Sequence, residues 1–341
     1  MTAVHAVVPG TIDDPARPSG GNFYDRRVLD GLRGAGWSVQ EHAVAGSWPR
    51  PDAAALDALA SVVTLVPDDV VLLVDGLVAS SAPGVLVPAA ARLRLVVLAH
   101  VPPVTSEVLA AASAVLTTSR WTRRVLLERH ALSPGRIHVA EPGVEAAPLA
   151  TGSGSGGDLL CVAAVTRDKG HLTLASALWQ VADLAWRCTL VGSVLCEPGH
   201  VDRVRRRLER DGLTDRVTFC GALPGDLLAP AYASADLLVL PTRCESYGMV
   251  VTEALARGLP SLTTDVGGVP EALGVLPDGR RPGLLVRPGD PARLAVALRG
   301  WLTDPTLRSD LRDAARVRRG SLTGWSTTTG LVADVLAGVA A

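Results

Sequence analysis

The stretch "LVLPTRCESYGMVVTEALARGLP" (residues 238–260) decides the fold, because it passes directly from a buried strand into a helix. The apolar run ends in the loop "TRCESYG", and the helix begins near Gly248 and stops at Gly258. Glu245 therefore lies at the carboxyl end of a strand, and Glu253 lies inside the following helix. Since ligands of parallel sheets bind at the carboxyl ends of strands, this turn is a candidate ligand site.

The beginning of this helix predicts an anion site. The backbone amides of Gly248, Met249 and Val250 have no partner within the helix and suit phosphate groups. A carboxylate on either side of such a site can accept hydrogen bonds from sugar hydroxyls. The alternative is that an acid near a helix start only complements the helix dipole, and these residues alone leave both interpretations open.

Length and composition predict two domains of the α/β class. The chain has 341 residues, of which 48% are hydrophobic and only 4% are aromatic. A net charge of −1 gives no electrostatic support for a nucleic-acid partner. Arg92, Arg94 and several prolines interrupt the most apolar region, so no transmembrane segment is expected, whereas contact with a membrane surface is left open. The start shows no signal-peptide pattern, and five cysteines without CxxC spacing indicate buried, reduced thiols, so we expect a cytoplasmic protein.

Short apolar strands alternate with helical segments along both halves of the chain, which predicts βα units and parallel sheets. The predicted strands are 5–9, 38–44, 70–76, 94–101, 114–119, 136–143, 159–165, 187–192, 216–220, 236–241, 260–264 and 284–287. The predicted helices include 22–36, 120–132, 169–181, 201–211 and 248–257. Between the halves, "ATGSGSGGD" (150–158) contains a GxGxxG pattern but precedes a strand instead of following one. It therefore indicates a flexible linker and not a dinucleotide site.

The 39 residues "ADLLVLPTRCESYGMVVTEALARGLPSLTTDVGGVPEAL" (235–273) resemble the ExxxxxxxE region of the retaining glycosyltransferases of family 4. The resemblance implies the GT-B fold, with two Rossmann-like parallel-sheet domains facing each other across a cleft. In that family the first glutamate hydrogen-bonds the transferred sugar and the second holds the nucleotide ribose. Those roles fall to Glu245 and Glu253.

A second block, "LLCVAAVTRDKGHLTLASAL", resembles the first strand and helix of the family's donor domain, where a lysine before a glycine binds the donor diphosphate. Lys169 occupies that place, and it is the only lysine among 33 basic residues. Many relatives have an arginine five positions earlier, where this chain has Ala164. Arg167 could reach the phosphates instead, and exposure to solvent is the alternative.

Two features of the first half resemble the family's other donor contacts. "PSGGNFYDRR" (18–27) resembles the glycine loop after the first strand, where Gly20 and Gly21 would let the backbone approach the donor phosphate or the acceptor. "LAHVPP" places His100 at a strand end, where related enzymes have a histidine near the donor sugar. The alternative for His100 is a structural histidine.

The resemblance implies four segments. We expect residues 1–149 to form an acceptor-binding domain, 150–157 a linker, 158–322 a donor-binding domain, and 323–341 a closing helix that could pack on the first domain. The acceptor side would be built by the loop 9–22, which is long for a strand-to-helix connection.

That loop contains Asp13, Asp14 and Asn22, with Arg17 as the nearby cation. If the two aspartates face the acceptor, they favour one that carries amino groups. The alternative is that both are solvated residues of a turn before Pro15.

The implied activity is metal-independent transfer of a sugar, with retention, from a nucleoside diphosphate sugar to a small-molecule or saccharide acceptor. No DxD triplet occurs, so neither a metal nor a cofactor is expected, and uridine diphosphate is favoured over guanosine diphosphate as the carrier. A nucleotide-sugar epimerase or hydrolase, and a non-catalytic sugar-nucleotide-binding protein, are the alternatives. The sequence leaves the sugar, the acceptor and the oligomeric state open.

Overall fold

The chain forms two compact units in a computed structural model that describes residues 3–100, 104–223 and 225–341. The first unit contains the beginning of the chain up to Asp14, then Ser19–Gly143 and Gly324–Ala341. The second contains Pro15–Pro18 and Val144–Thr323. Each unit is built around one parallel sheet of six strands.

The first sheet has the strand order β2-β1-β3-β4-β5-β6, and all its neighbouring strands are parallel. Its strands are β1 (Ala3–Pro9), β2 (Ser38–Val44), β3 (Val71–Asp75), β4 (Arg94–Ala99), β5 (Ala114–Thr117) and β6 (Ile137–Val139). Every residue of β3 and β5 is buried, because helices cover both faces. The apolar strand runs of the sequence reflect this two-sided burial.

Within the described residues, six α-helices connect these strands: α1 (Gly20–Gly34), α2 (Ala53–Leu65), α3 (Gly76–Ser81), α4 (Pro83–Ala89), α5 (Ser106–Ala111) and α6 (Arg120–Arg129). The Ser19 side chain caps α1 by accepting a hydrogen bond from the Asn22 amide. Gly20 and Gly21, expected in a loop, therefore belong to the first turn of α1. The cap explains why the helix begins earlier than expected, because the Ser19 hydroxyl accepts from the Asn22 amide, which would otherwise lack a partner in the first turn.

The second sheet has the order β12-β11-β10-β7-β8-β9 and is also parallel. Its strands are β7 (Asp158–Val162), β8 (Arg187–Val191), β9 (Val217–Gly221), β10 (Leu237–Leu240), β11 (Ser261–Thr264) and β12 (Gly283–Val286). Its helices are α7 (His171–Trp179), α8 (Pro198–Arg210), α9 (Ala229–Ser234), α10 (Met249–Ala256), α11 (Val269–Leu273), α12 (Pro291–Thr303) and α13 (Pro305–Arg319). The last helix, α14 (Trp325–Ala340), belongs to the first unit, where Val332 and Leu336 join the core.

All twelve strands named from the sequence occur within a few residues of their expected positions. The fourth was expected to reach Val101, which lies outside the described residues. The sequence analysis did not identify α2 to α5, α9 or α11, most of which are short. A helix of two turns has too few residues to show a clear period in its apolar positions.

The segment 150–157 lies wholly inside the second unit. The buried carboxylate of Asp236 accepts hydrogen bonds from the backbone amides of Ser153 and Asp158, each at 3.1 Å. Trp301 donates its indole N–H to the carbonyl oxygen of Gly156 at 2.7 Å. These contacts hold the glycine-rich segment against the second sheet.

The five cysteines are free thiols, but only Cys161 and Cys188 are buried, whereas the sequence analysis expected buried thiols throughout. Across the part of the chain that the structure describes, no helix is both long and apolar enough to span a membrane.

Candidate functional site

The second sheet reverses its strand order between β7 and β10. After β7 the chain continues to β8 and β9 on one side, and after β10 it continues to β11 and β12 on the other. Connections that diverge in this way open a crevice at the carboxyl ends of the two central strands. Lys169 follows β7 and Glu245 follows β10, so both residues lie at this crevice.

Lys169 and Glu245 form an ion pair, with Nζ and Oε2 2.6 Å apart. Their side chains are 29% and 17% exposed, so the pair is accessible from solvent. The turn that carries Lys169 contacts the end of β10 closely, because a Cβ at Gly170 would lie 2.0 Å from the carbonyl oxygen of Pro241. Gly170 also has a φ of 73°, which an L-residue adopts only with strain. A glycine is therefore required for Lys169 to reach Glu245.

The backbone of Glu245 is held from its other side. A Cβ at Gly267 would lie 1.6 Å from the carbonyl oxygen of Glu245, and the amide of Gly268 donates to the same oxygen at 3.3 Å. The two glycines come from the loop after β11, the next strand of the sheet. This packing explains why the pair "GG" accompanies the first glutamate in the sequence.

The amino terminus of α10 lies in the same loop. The helix begins at Met249, and Gly248 precedes it as the N-cap residue. Met249 and Val250 are half-buried. The first amides of a helix lack intrahelical acceptors, so Gly248, Met249 and Val250 offer amide donors to an anion. These residues follow Glu245 by three to five positions.

Glu253 is half-buried on α10 and accepts a hydrogen bond from the Tyr232 hydroxyl at 2.8 Å. The guanidinium of Arg257 lies over the Tyr232 ring, 4.6 Å from its centre. Burial raises the pKa of Glu253, and the Tyr232 hydrogen bond and the Arg257 charge oppose that rise. The sequence analysis did not identify Tyr232, because no local pattern links α9 to α10.

Arg167 and Ala164 mark the departure from the family pattern. The Arg167 side chain is 72% exposed, and its Nε lies 3.6 Å from a carboxylate oxygen of Glu197. This position is the solvent-exposed alternative that the sequence analysis left open. Ala164 is half-buried after β7 and has no polar side chain to offer.

His100, Gly21 and two unanticipated acids come together in the first unit. A Cβ at Gly21 would lie 3.4 Å from Cδ2 of His100, so the first turn of α1 packs against the imidazole ring. His100 Nε2 lies 2.6 Å from Oδ1 of Asp25 and 3.5 Å from Oδ2 of Asp75. Asp25 and Val28 lie three positions apart on the buried face of α1. An acid on the apolar face of a predicted helix is the sequence feature that could have identified Asp25.

The residues proposed for the acceptor side are engaged within the first unit. Asn22 donates its side-chain amide to the carbonyl oxygen of Thr11 at 2.9 Å. Asp13 forms a two-pronged ion pair with Arg26, at 2.6 and 2.9 Å. The cation paired with Asp13 is thus Arg26 of α1, whereas the sequence analysis considered only Arg17, because the loop sequence does not reveal which face of α1 it meets. Asp14, the remaining acid of the loop, is half-buried.

Among the described residues, one group of three acidic or imidazole side chains has its donor atoms within 4.8 Å of one another, namely Asp25, Asp75 and His100. The distance of 2.6 Å between Nε2 and Oδ1 is that of a charge-assisted hydrogen bond. We therefore describe the group as a hydrogen-bonded cluster. The sequence predicts that the protein needs no metal, and that expectation stays a prediction.

Comparison with known proteins gives matches in both sequence and structure. Residues 156–304 match the family model described as "Glycosyl transferases group 1". A D-inositol 3-phosphate glycosyltransferase 2 from Catenulispora acidiphila is 40% identical over 144 residues, which are 42% of this chain and 32% of the relative. A D-inositol 3-phosphate glycosyltransferase from Thermomonospora curvata is 31% identical over 256 residues, which are 68% of this chain and 58% of the relative. The chain thus spans between a third and three-fifths of the length of these two relatives.

Solved structures match along almost the whole chain. A sucrose-phosphate synthase from Thermosynechococcus elongatus has a TM-score of 0.79 at 20% identity and covers 99% of both chains. Anabaena HepE in complex with UDP-glucose has a TM-score of 0.76 at 16% identity, over 99% of this chain and 100% of that one. At such low identity the likeness concerns the fold alone, and it confirms the two-domain α/β class expected from the sequence.

Proposed function

We propose that this protein is a retaining glycosyltransferase, because residues 156–304 match the group 1 glycosyl transferases and the chain has the GT-B fold. It moves a sugar from a nucleoside diphosphate sugar to a small-molecule or saccharide acceptor. The observation that carries the proposal is the ion pair of Lys169 and Glu245 at the point where the second sheet reverses its strand order. The cation at that point suits the diphosphate of such a donor, and the carboxylate suits the hydroxyls of its sugar.

In the proposed donor complex, the ammonium of Lys169 leaves Glu245 and contacts the diphosphate. The first amides of α10 contact the same phosphates, so that positive charge and aligned dipoles stabilise the leaving group. Glu245 then accepts hydrogen bonds from the transferred sugar, and Glu253 accepts them from the ribose hydroxyls. When Lys169 leaves Glu245 for the diphosphate, the Glu245 carboxylate becomes free to contact the sugar.

The proposed reaction needs no nucleophile from the protein. The acceptor oxygen attacks the anomeric carbon on the face from which the diphosphate departs, and the acceptor proton passes to the leaving phosphate. The lysine and the helix amides stabilise the charge that develops on the bridging oxygen. The roles of His100 and Gly21 as donor contacts stay predictions of the family resemblance.

Uridine diphosphate is the proposed carrier, because HepE, which has the same fold, is described in complex with UDP-glucose. The cytoplasm stays a predicted location.

For the acceptor, the ion pair between Asp13 and Arg26 offsets the negative charge on which a preference for amino groups depended. The two relatives described above act, by their names, on D-inositol 3-phosphate. A phosphorylated polyol is therefore the first acceptor to test, beside amino sugars. Replacement of Asp13 and Asp14 by asparagine should change the acceptor KM less than threefold if Arg26 already neutralises the loop.

A thermal-shift screen of UDP, GDP and ADP sugars tests the donor assignment on the full chain. A ligand at one hundred times its Kd stabilises the folded state by about 2.7 kcal/mol, which is a shift of several degrees. Lys169→Ala should abolish the shift, whereas Arg280→Ala, which removes an exposed cation paired with Asp278, should retain it. No shift with any nucleoside diphosphate sugar would contradict the proposal.

Donor consumption with and without acceptors then separates the alternatives. A glycosyltransferase consumes the donor rapidly only when an acceptor is present. Equal consumption without an acceptor indicates the epimerase or hydrolase, and donor binding without consumption indicates the non-catalytic protein.

A further inference from the structure

Three buried polar side chains meet at the carboxyl edge of the first sheet, and each comes from a different element. Asp25 lies in the second turn of α1, Asp75 is the last residue of β3, and His100 follows β4 directly. All three side chains are at most 10% exposed. The strand order of this sheet reverses between β1 and β3, so the cluster occupies the position in this unit at which Rossmann-like sheets bind ligands.

Both carboxylates approach the same imidazole nitrogen. Nε2 of His100 is 2.6 Å from Asp25 and 3.5 Å from Asp75. Asp75 is fixed by α3, because its Oδ1 accepts from the amides of Leu77 and Val78 at 2.8 and 3.3 Å. Within the described part of the chain, Oδ2 of Asp25 is buried and has no hydrogen-bond partner.

Buried carboxylates without a counter-charge are strongly unfavourable. Among the described residues, His100 is the side chain that lies within ion-pair distance of both acids. A neutral ring would place no positive charge beside the two buried acids, whereas the imidazolium supplies one. The cluster therefore favours a histidine that carries both protons.

We propose that Asp25 is a positioning residue that, together with Asp75, holds His100 as an imidazolium with Nε2 turned inward. The two nitrogens lie on different edges of the ring, so Nδ1–H points away from the acids and is the donor that a ligand meets. Such a donor suits a ligand oxygen that carries or gains negative charge, and it cannot act as a base. The inference deepens the proposed function and rests on it for the identity of that ligand.

The titration behaviour of the cluster agrees with this geometry. Burial by itself lowers the pKa of His100, but the charge and hydrogen bond of Asp25 and the charge of Asp75 outweigh it and raise the pKa to about 9. Burial and the charge of Asp25 raise the pKa of Asp75 to about 7. Among the described residues, Tyr24 also faces the ring: it stands edge-on at 5.2 Å, and its hydroxyl donates to the Ala140 carbonyl oxygen.

A divalent cation among the same three side chains is the competing interpretation. Zinc ligands lie 2.0–2.2 Å from the metal, so two donor atoms in a tetrahedral shell are about 3.4 Å apart. Nε2 and Oδ1 are closer than that, at the distance of a hydrogen bond. The imidazolium is therefore the better account of the observed geometry, and metal binding becomes an outcome of the test.

Nitrogen NMR of the full chain labelled with ¹⁵N-histidine measures the protonation of the ring directly. The chain has seven histidines, and loss of one signal in His100→Gln assigns the resonance. We expect both His100 nitrogens to be protonated at pH 7.5 and to titrate above pH 8. A ring that is neutral at pH 7.5 in the wild-type protein would overturn the proposal without any variant at Asp25.

Asp25→Asn keeps the shape of the side chain and removes its charge. The His100 midpoint should fall by at least one pH unit, a tenfold weaker affinity for the proton. Asp30→Asn, which changes an exposed acid of the same helix paired with Arg33, should leave the midpoint unchanged. An unchanged midpoint in Asp25→Asn would show that Asp25 does not hold the proton. If that variant does not fold, Asp75→Asn, whose amide oxygen can still cap α3, should lower the midpoint in the same direction.

Two further readouts separate the inference from the proposed function. In the pH profile of kcat, Asp25→Asn should move the alkaline limb by the same number of pH units as the NMR midpoint, with little change in the donor KM. A doubly protonated ring in a protein that turns over no donor would refute the function and leave the cluster as described. Stoichiometric binding of Zn²⁺ or Mn²⁺ that shifts the His100 resonance, and is lost in Asp25→Asn, would instead establish a metal site and overturn the inference.

Discussion

The two sheets place polar side chains at equivalent edges, but they hold them in different ways. In the second sheet, Lys169 and Glu245 form a one-to-one ion pair that solvent reaches. In the first, Asp25 and Asp75 enclose His100, and both acids are nearly inaccessible. An ion pair in contact with water is worth about 0–1 kcal/mol and opens readily, whereas a buried group of charges keeps its partners.

This difference separates two ways of preparing a ligand site. In the accessible pair, each residue can exchange the other for a charged ligand. Both side chains can therefore contact a ligand when it binds. The buried cluster cannot exchange partners, and it acts by fixing which atom of His100 remains for a ligand.

The largest effect is expected at the accessible pair. Lys169→Ala should reduce donor turnover by more than tenfold, because a charged contact to the departing diphosphate is worth about 2–4 kcal/mol in the transition state. Steady-state kinetics of the folded variant measure the loss, with Arg280→Ala as the matched control. Near wild-type kinetics in a folded Lys169→Ala protein would remove the lysine from the proposed site.

The two glutamates should differ in what they affect. Glu253→Ala should weaken binding of the bare nucleoside diphosphate about tenfold or more, since a hydrogen bond to a charged group is worth about 1.5–3 kcal/mol. Glu245→Ala should mainly lower the rate and leave nucleotide affinity unchanged or higher, because Lys169 loses its internal partner. Calorimetry with uridine diphosphate separates the two, and an equal loss of affinity in both variants would show that the roles are assigned wrongly.

The buried cluster should make the first unit less stable at alkaline pH. The pKa of His100 is raised from 6.5 to about 9, so its contribution to the free energy of unfolding is fully present below pH 6.5 and is lost as the pH rises through 9. We expect a loss on the order of 1–3 kcal/mol between pH 6.5 and 9.5. Hydrogen exchange of β1 to β6 in urea measures it. An equal pH dependence of the free energy of unfolding in His100→Gln would show that a group other than His100 causes it.

The smallest effect is expected from chelation. EDTA should leave donor turnover largely intact, because in the proposed donor complex Lys169 and the α10 amides supply the positive charge for the diphosphate. Full loss of activity that magnesium or manganese restores would refute a metal-independent reaction. Zinc restoring it in the wild-type protein but not in Asp25→Asn would direct attention to the cluster of the first unit.

The sequence predicted the strands and their order of appearance, because a strand buried on both faces is a local run of apolar residues. It also brought Lys169, Glu245 and Glu253 to attention, since each occupies a fixed place in a motif. It did not reveal Asp25, because an acid in a helix is ordinarily solvated, and only the elements packed around α1 make this one buried.

The sequence by itself thus determined the fold class and the donor motifs, since both depend on neighbours within a few turns of the chain. The tertiary structure decided which side chains meet. Lys169 and Glu245 are 76 positions apart, and Asp25 and His100 are 75 apart. Such contacts depend on which strands lie next to each other and on how closely a turn can approach its neighbour, as Gly170 does at Pro241. The return of α14 to the first unit has the same origin, because the core that it covers is formed by residues distant in sequence.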